Sequence, residues 1–191
     1  MNLFLINLLS LLLSCIGLSA LNIFSQLPIG PYNIVFKEIG DCSSPRNYKI
    51  RHYLYLSRNQ KANATYIKGY SNFSVPFDDS LFLEINFSIK DTDGTWKNNT
   101  FFHKSPKACT AFKNLMGASW TPMMNGLIGH KNTTCPIPPG IYTASGMDTS
   151  LIKDSNFPKA FVYGTYKVLI YYTLKKVMYG CYSFVVEIKP I

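Results

Sequence analysis

No charged side chain precedes Lys37, and no segment beyond the N-terminal stretch is apolar for long enough to cross a bilayer as a helix. The second absence excludes a helical membrane protein and leaves a mature chain that is expected to be soluble. Metal-ligand spacing is missing as well: there is no Cys-x-x-Cys and no Cys/His pair at zinc spacing, so neither a metal nor another cofactor is expected. No glycine-rich loop is present to cradle a phosphate. Histidine is rare, and His52, His103 and His130 fall in a strand and two loops without an elbow or triad signature. They read as ordinary surface or half-buried histidines, and no enzyme is expected. Acidic residues are few, and the pairs Asp78-Asp79 and Asp91/Asp93 sit in turn sequences, which explains them more simply than acid–base catalysis or calcium. No internal repeat or low-complexity segment occurs.

The shortage of acid leaves 10 carboxylates against 19 basic side chains, a net charge of +9. Such a charge by itself points to nucleic acid. The basic residues are scattered singly, however, with Lys175-Lys176 the only adjacent pair. The secretory route argued next also removes the chain from nucleic acid, which is not expected as a partner. A solvated surface is the simplest use of the charge. Transient attraction to an anionic membrane surface or an acidic glycolipid is the specific one.

What is present begins with an apolar run, Leu3 to Leu13, interrupted only by Asn7 and Ser10 and followed by the small residues Gly17, Ser19 and Ala20. It has the length of a signal-peptide core. Residues 1–19 are read as the signal and 20–191 as one β domain, secreted to the extracellular space or an endolysosomal lumen. Leu12-Leu13-Ser14-Cys15 also resembles a bacterial lipobox, but the segment before it lacks the Lys or Arg that such signals carry. Without Cys15, the cysteines Cys42, Cys109, Cys135 and Cys181 remain. An even number in an oxidising compartment implies two disulfides, and their count leaves three connectivities open. Sequons at Asn63, Asn72, Asn86, Asn98 and Asn132 make a glycoprotein expected, with each used site facing water.

The 13 Tyr and 13 Phe fall in short alternating runs bounded by Gly, Pro, Asn and Asp, the pattern of an all-β domain. Strands are expected at 48–56, 64–70, 81–89, 96–102, 141–145, 165–174 and 182–188. In the first, Ile50, His52, Leu54 and Leu56 share one face; in the third, Leu83, Ile85 and Phe87 do, with Glu84, Asn86 and Ser88 opposite. Asp91-Thr92-Asp93-Gly94 turns the third into the fourth. Ser105-Pro106 reads as N-cap and first residue of one short helix over 105–117. The expected architecture is an antiparallel β-sandwich or β-cup of seven to nine strands. Between Gly117 and His130 lies an uncharged stretch interrupted by Pro122, Gly126 and Gly129, which argues against a regular element there. Trp120, Met123, Met124, Leu127 and Ile128 are therefore expected on a mobile loop, as an apolar lip at a cavity mouth that touches lipid.

The C-terminal third reads Cys135-Pro136-Ile137-Pro138-Pro139-Gly140-Ile141-Tyr142, then Phe157-Pro158, Gly164-Thr165-Tyr166-Lys167 and Cys181-Tyr182-Ser183-Phe184. This order resembles the ganglioside-activator and ML lipid-recognition proteins, and more so their secreted arthropod relatives. The resemblance implies two sheets splayed around a lipid cavity, and a non-enzymatic role in binding or transferring a lipid or glycolipid. It also implies the pairs Cys42–Cys181 and Cys109–Cys135. Ganglioside activators carry additional bridges that two pairs cannot reproduce, so their particular ligand and hydrolase partner do not transfer. The alternative function is a secreted interaction module, structural or receptor-accessory, with a filled core and no lipid. A cavity on the order of several hundred Å³ separates a carrier from that module, and a histidine beside a nucleophile in space is what a small hydrolase would need.

Overall fold

The computed structural model describes residues 28–42, 47–129 and 134–191. The signal-peptide reading of residues 1–19, His130 and the sequon at Asn132 lie outside the described residues. Among the described residues there are ten strands: β1 Ile29–Gly30, β2 Tyr32–Gly40, β3 Ile50–Asn59, β4 Ala64–Phe73, β5 Phe82–Lys90, β6 Trp96–Pro106, β7 Gly140–Asp148, β8 Phe161–Val162, β9 Gly164–Leu174 and β10 Val177–Pro190. Each expected strand overlaps one of these. β2 and the two-residue pair β1 and β8 were not anticipated.

The strands of the large sheet form two antiparallel groups, β6-β5-β9-β10-β2 and β3-β4-β7, which a single parallel bridge between Gly180 and Ile50 connects. A Cβ on Gly180 would lie 2.8 Å from the Ile50 carbonyl oxygen, so the two backbones approach this closely only at glycine. The inner faces of the groups meet through aromatic rings. His52 of β3 packs against Tyr182 of β10 at 4.7 Å and Tyr172 of β9 at 6.0 Å between centroids. The result is the all-β, sandwich-like fold that the sequence pattern implied.

β5 follows its alternation through Leu83 and Ile85, both buried. A register shift against β6 between Phe87 and Ile89 puts extra residues of β6 over Ser88, which keeps its expected place on the face of Glu84 and Asn86 but is buried there, its hydroxyl donating to Asn98 Oδ1 at 3.1 Å. The turn after β5 is held by side chains. Asp93 Oδ1 accepts from the Thr95 backbone N–H at 2.8 Å, and Lys97 pairs with Asp91 at 2.7 Å. Among the sequons, Asn63 and Asn98 are exposed while Asn72 and Asn86 are half-buried. Asn86 Nδ2 donates to Asn99 Oδ1 at 2.5 Å, a bond that a glycan on this nitrogen would have to replace.

The disulfides are Cys42–Cys181, tying the segment after β2 to β10, and Cys109–Cys135, tying the first helix to the segment before β7. Their Cα–Cα distances of 5.8 and 5.9 Å are ordinary for a bridge.

The helical region differs from expectation at both ends. Ser105 and Pro106 are the last residues of β6, paired with Leu83 and Phe82. β6 is an edge strand, where the missing proline N–H disrupts nothing. Lys107, at φ 58°, turns the chain into α1, Ala108–Met116. The cap comes from a distant loop: Asp79 Oδ1 accepts from the Thr110 backbone N–H at 2.9 Å, and Asp79 Oδ2 from its hydroxyl at 2.7 Å. These hydrogen bonds hold the Asp79 carboxyl below its usual range. A 3-10 turn, Gly117–Ser119, leads directly into α2, Trp120–Ile128.

The residues taken as helix breakers each have a place in α2. Pro122 lies in the first turn, where its N–H would have no intrahelical partner. Gly129, at φ 68°, is the left-handed cap, and its N–H donates to the Asn125 carbonyl. Gly126 faces β7 so closely that a Cβ there would lie 2.6 Å from Met147 Cα and 2.9 Å from Met147 Cβ. Alanine at an open helical position would gain about 1 kcal/mol over glycine. Here overpacking, at about 1–3 kcal/mol, outweighs that gain. Gly126→Ala is therefore expected to lower the stability measured by urea unfolding, and a stabilised variant would show that α2 does not touch β7 at this point.

Candidate functional site

Between the strand groups and beneath the helices lies an apolar cavity of about 150 Å³. β2 contributes Ile34 and Phe36, β5 Ile85 and Phe87, and β9 Val168 and Ile170. Among the described residues no charged side chain lines it. An apolar space of about this size holds a benzene-sized guest and excludes water. It is smaller than the several hundred Å³ that would mark an open carrier.

α2 forms one wall. Met123, Met124, Leu127 and Ile128 line the cavity, whereas Trp120 lies outside the lining and packs edge-on against Phe112 of α1 at 5.8 Å. Trp120, Met123, Met124 and Ile128 are only 2, 3, 4 and 7% exposed, and Leu127 is half-buried. The mobile, exposed lip is therefore corrected: these residues belong to a regular helix and, Leu127 apart, to the packed core. Pro122, Gly126 and Gly129 do not interrupt the helix because each stands where a helix accommodates it, in the first turn, against β7 and at the C-terminal cap.

One polar cluster interrupts the apolar lining. The β3–β4 register sets His52 directly opposite Ser71, and His52 Nδ1 and Ser71 Oγ share a hydrogen bond of 2.8 Å. The imidazole is held edge-on by Phe73, Tyr172 and Tyr182. His52 Nε2 is buried and has no hydrogen-bond partner among the described residues. Loss of water around the ring pushes its pKa from 6.5 down to about 4. Burial also raises both tyrosines, Tyr182 to about 12, and these two hydroxyls hydrogen-bond each other. The sequence placed His52 on the apolar face of its strand. It gave no reason to single out Ser71, because which residue stands across a strand pair depends on register, not on local pattern.

A serine within hydrogen-bond distance of a histidine is the first element of nucleophilic catalysis. The remaining elements do not accompany it. His52 has no carboxylate on its second nitrogen, and its lowered basicity makes it a poor proton acceptor near neutral pH. Ser71 stands mid-strand, with β3 on one side and β7 on the other, rather than on a turn where backbone N–H groups converge to stabilise an oxyanion. Of the other two histidines, His103 is exposed on β6, and His130 lies outside the described residues.

No protein-family model matches the chain, and no curated protein matches it.

An unfolded histidine takes up a proton near pH 6.5, whereas buried His52 resists until about pH 4. Between those values the unfolded state binds more protons, so stability falls as pH falls through this window, by about 3 kcal/mol in total. Replacing His52 with Gln is expected to remove that slope. Chemical denaturation of both proteins from pH 7 to pH 4 checks it, since shifted carboxylates such as Asp79 and Glu84 contribute equally to each; parallel curves would contradict the burial of His52.

Proposed function

We propose that this chain is a secreted, non-enzymatic lipid-binding or lipid-transfer protein that holds apolar chains between its two strand groups. The carrying observation is the uncharged cavity walled by two methionines of α2. Removing chain surface from water there yields about 0.8 kcal/mol per buried methylene. The existing 150 Å³ receives a short segment of chain. Met123 and Met124, with their unbranched thioethers, are the wall residues best able to repack around a longer one. The resemblance of the C-terminal third to lipid-recognition proteins supports the same reading. The net charge of +9 suits brief contact with an anionic membrane surface during loading.

Titration with a dansyl-labelled fatty acid tests this. Saturable binding with a Kd on the order of micromolar is expected, weakened about tenfold or more by Val168→Phe, which extends a side chain into the cavity while near-UV circular dichroism is unchanged. Absence of binding would leave the interaction module, for which the outer face of β3 and β4 offers the stacked pair Tyr53 and Tyr70 beside exposed Tyr55.

The His52–Ser71 pair favours one further reading, a hydrolase acting on a lipid ester inside the cavity. Without an orienting carboxylate or an oxyanion site, Ser71 is expected to remain unlabelled by a fluorophosphonate probe. Labelling that disappears in Ser71→Ala would replace the carrier with the hydrolase.

A further inference from the structure

We propose that the outer face of β3, β4 and β7 docks this protein onto the headgroup surface of an anionic phospholipid bilayer. The proposal rests on the carrier reading and names the face that meets the membrane when a lipid is loaded.

Alternation along the strands sends one set of side chains toward the cavity and the other away from it. On β3 the outward set includes Arg51, Tyr53 and Tyr55, and the register places Asn72, Tyr70 and Lys68 of β4 directly opposite them. Ile141 of β7 stands beside Asn72. Tyr53, Tyr70 and Tyr55 are 40, 43 and 57% exposed, and Ile141 is 72% exposed. Tyr53 and Tyr70 stack at 4.6 Å with 22° between their planes, so these two rings are fixed against each other. Large apolar groups exposed side by side on one face mark a contact surface.

Charge decides what this surface meets. Lys49 precedes Arg51 by two positions and is exposed. None of Lys49, Arg51 and Lys68 belongs to an ion pair among the described residues; the pairs present are Lys37–Glu187, Lys97–Asp91 and Lys104–Glu84, all on other strands. Among the described residues the face carries one carboxylate, Asp148, opposite Tyr66, and it accepts from the Ser150 backbone N–H at 2.9 Å. The cations therefore lack a counter-charge within the protein and suit an anionic surface.

The apolar groups select among anionic surfaces. A tyrosine ring has an apolar body and a polar tip, the combination that settles between headgroups and acyl chains. The Arg51 guanidinium stands over the Tyr53 ring at 6.0 Å, so cation and ring are presented together. An acidic polysaccharide would pair with the cations but leave Ile141 in water, whereas a bilayer takes up both. Asn72, half-buried between Arg51 and Ile141, heads a sequon on this face, and docking requires it to carry no glycan.

Flotation with phosphatidylcholine vesicles, with and without about one-third phosphatidylserine, tests the proposal. Binding is expected only to the anionic vesicles. Tyr55→Ser with Ile141→Ser, which leaves the stacked pair in place, is expected to weaken it about tenfold or more, and Arg51→Glu with Lys68→Glu to do the same. Lys90→Glu with Lys167→Glu makes the same change in net charge beside Trp96, on the outer face of the other strand group. That variant is expected to lose less than about threefold, because distant charges are screened. All three variants are expected to keep binding the dansyl-labelled fatty acid. On the wild-type protein, anionic bicelles containing a headgroup spin-labelled lipid are expected to broaden the Ile141 methyl resonances, a measurement that decides the matter even if a variant does not fold. Equal loss in the two charge-reversed variants, no loss on removing Tyr55 and Ile141, Ile141 resonances that stay sharp, or a glycan on Asn72 of the vesicle-bound protein would each overturn this face. Fatty-acid binding without vesicle binding would overturn the docking and leave the carrier. Docking through this face without fatty-acid binding would overturn the carrier alone.

Discussion

The two strand groups share one interior because their backbones come together at Gly180 and Ile50. Ile50 is fully buried, and Gly180 is the residue that allows its carbonyl to come so close. On one side of this junction β10 leads into β9 and β5; on the other, β3 leads into β4 and β7. The adjacent bridge Cys42–Cys181 fixes the segment after β2 to the residue following Gly180. A side chain at this junction would separate the groups and dismantle the aromatic contacts between His52, Tyr172 and Tyr182.

The interior so formed is filled unevenly. Near the junction, rings pack edge to face, as between Phe73 and Tyr142 or Phe73 and Phe77. Toward α2 the cavity is lined by Met123, Met124 and Leu127. Aromatic rings have few rotamers and fixed geometry, while methionine has three rotatable bonds. The cavity therefore has stiff walls, His52, Phe73 and Tyr172 among them, and adaptable ones in the methionines of α2. That division lets a guest change the shape of the wall without disturbing the hydrogen bond between His52 and Ser71.

Strand positions were legible because alternation is a local property. Ile50, His52, Leu54 and Leu56 repeat with the period of a pleated strand wherever their partners lie. The hairpin at Asp91 to Gly94 was legible for the same reason, since its side chains bond within the turn. The failures concern residues whose roles depend on distant neighbours. Ser105-Pro106 carried a helix-start signal, yet Phe82 and Leu83 claimed both residues for a sheet edge and Asp79 supplied the cap. Gly126 looked like a breaker because nothing nearby announces the backbone of Met147. Ser71 was silent because its partner lies nineteen positions away in sequence. The burial of Ser88 depended on a register shift that alternation does not encode.

The remote cap on α1 also orders events in time. Thr110 finds its carboxylate 31 residues upstream, in the link between β4 and β5, and the Ala108 N–H donates to the carbonyl of Leu81 in the same region. With nine residues, α1 is too short to persist alone in water, where isolated helices need about 12–15. Its nucleus therefore waits until that link has folded, so a helix in the roof of the cavity depends on a loop remote from it in the chain.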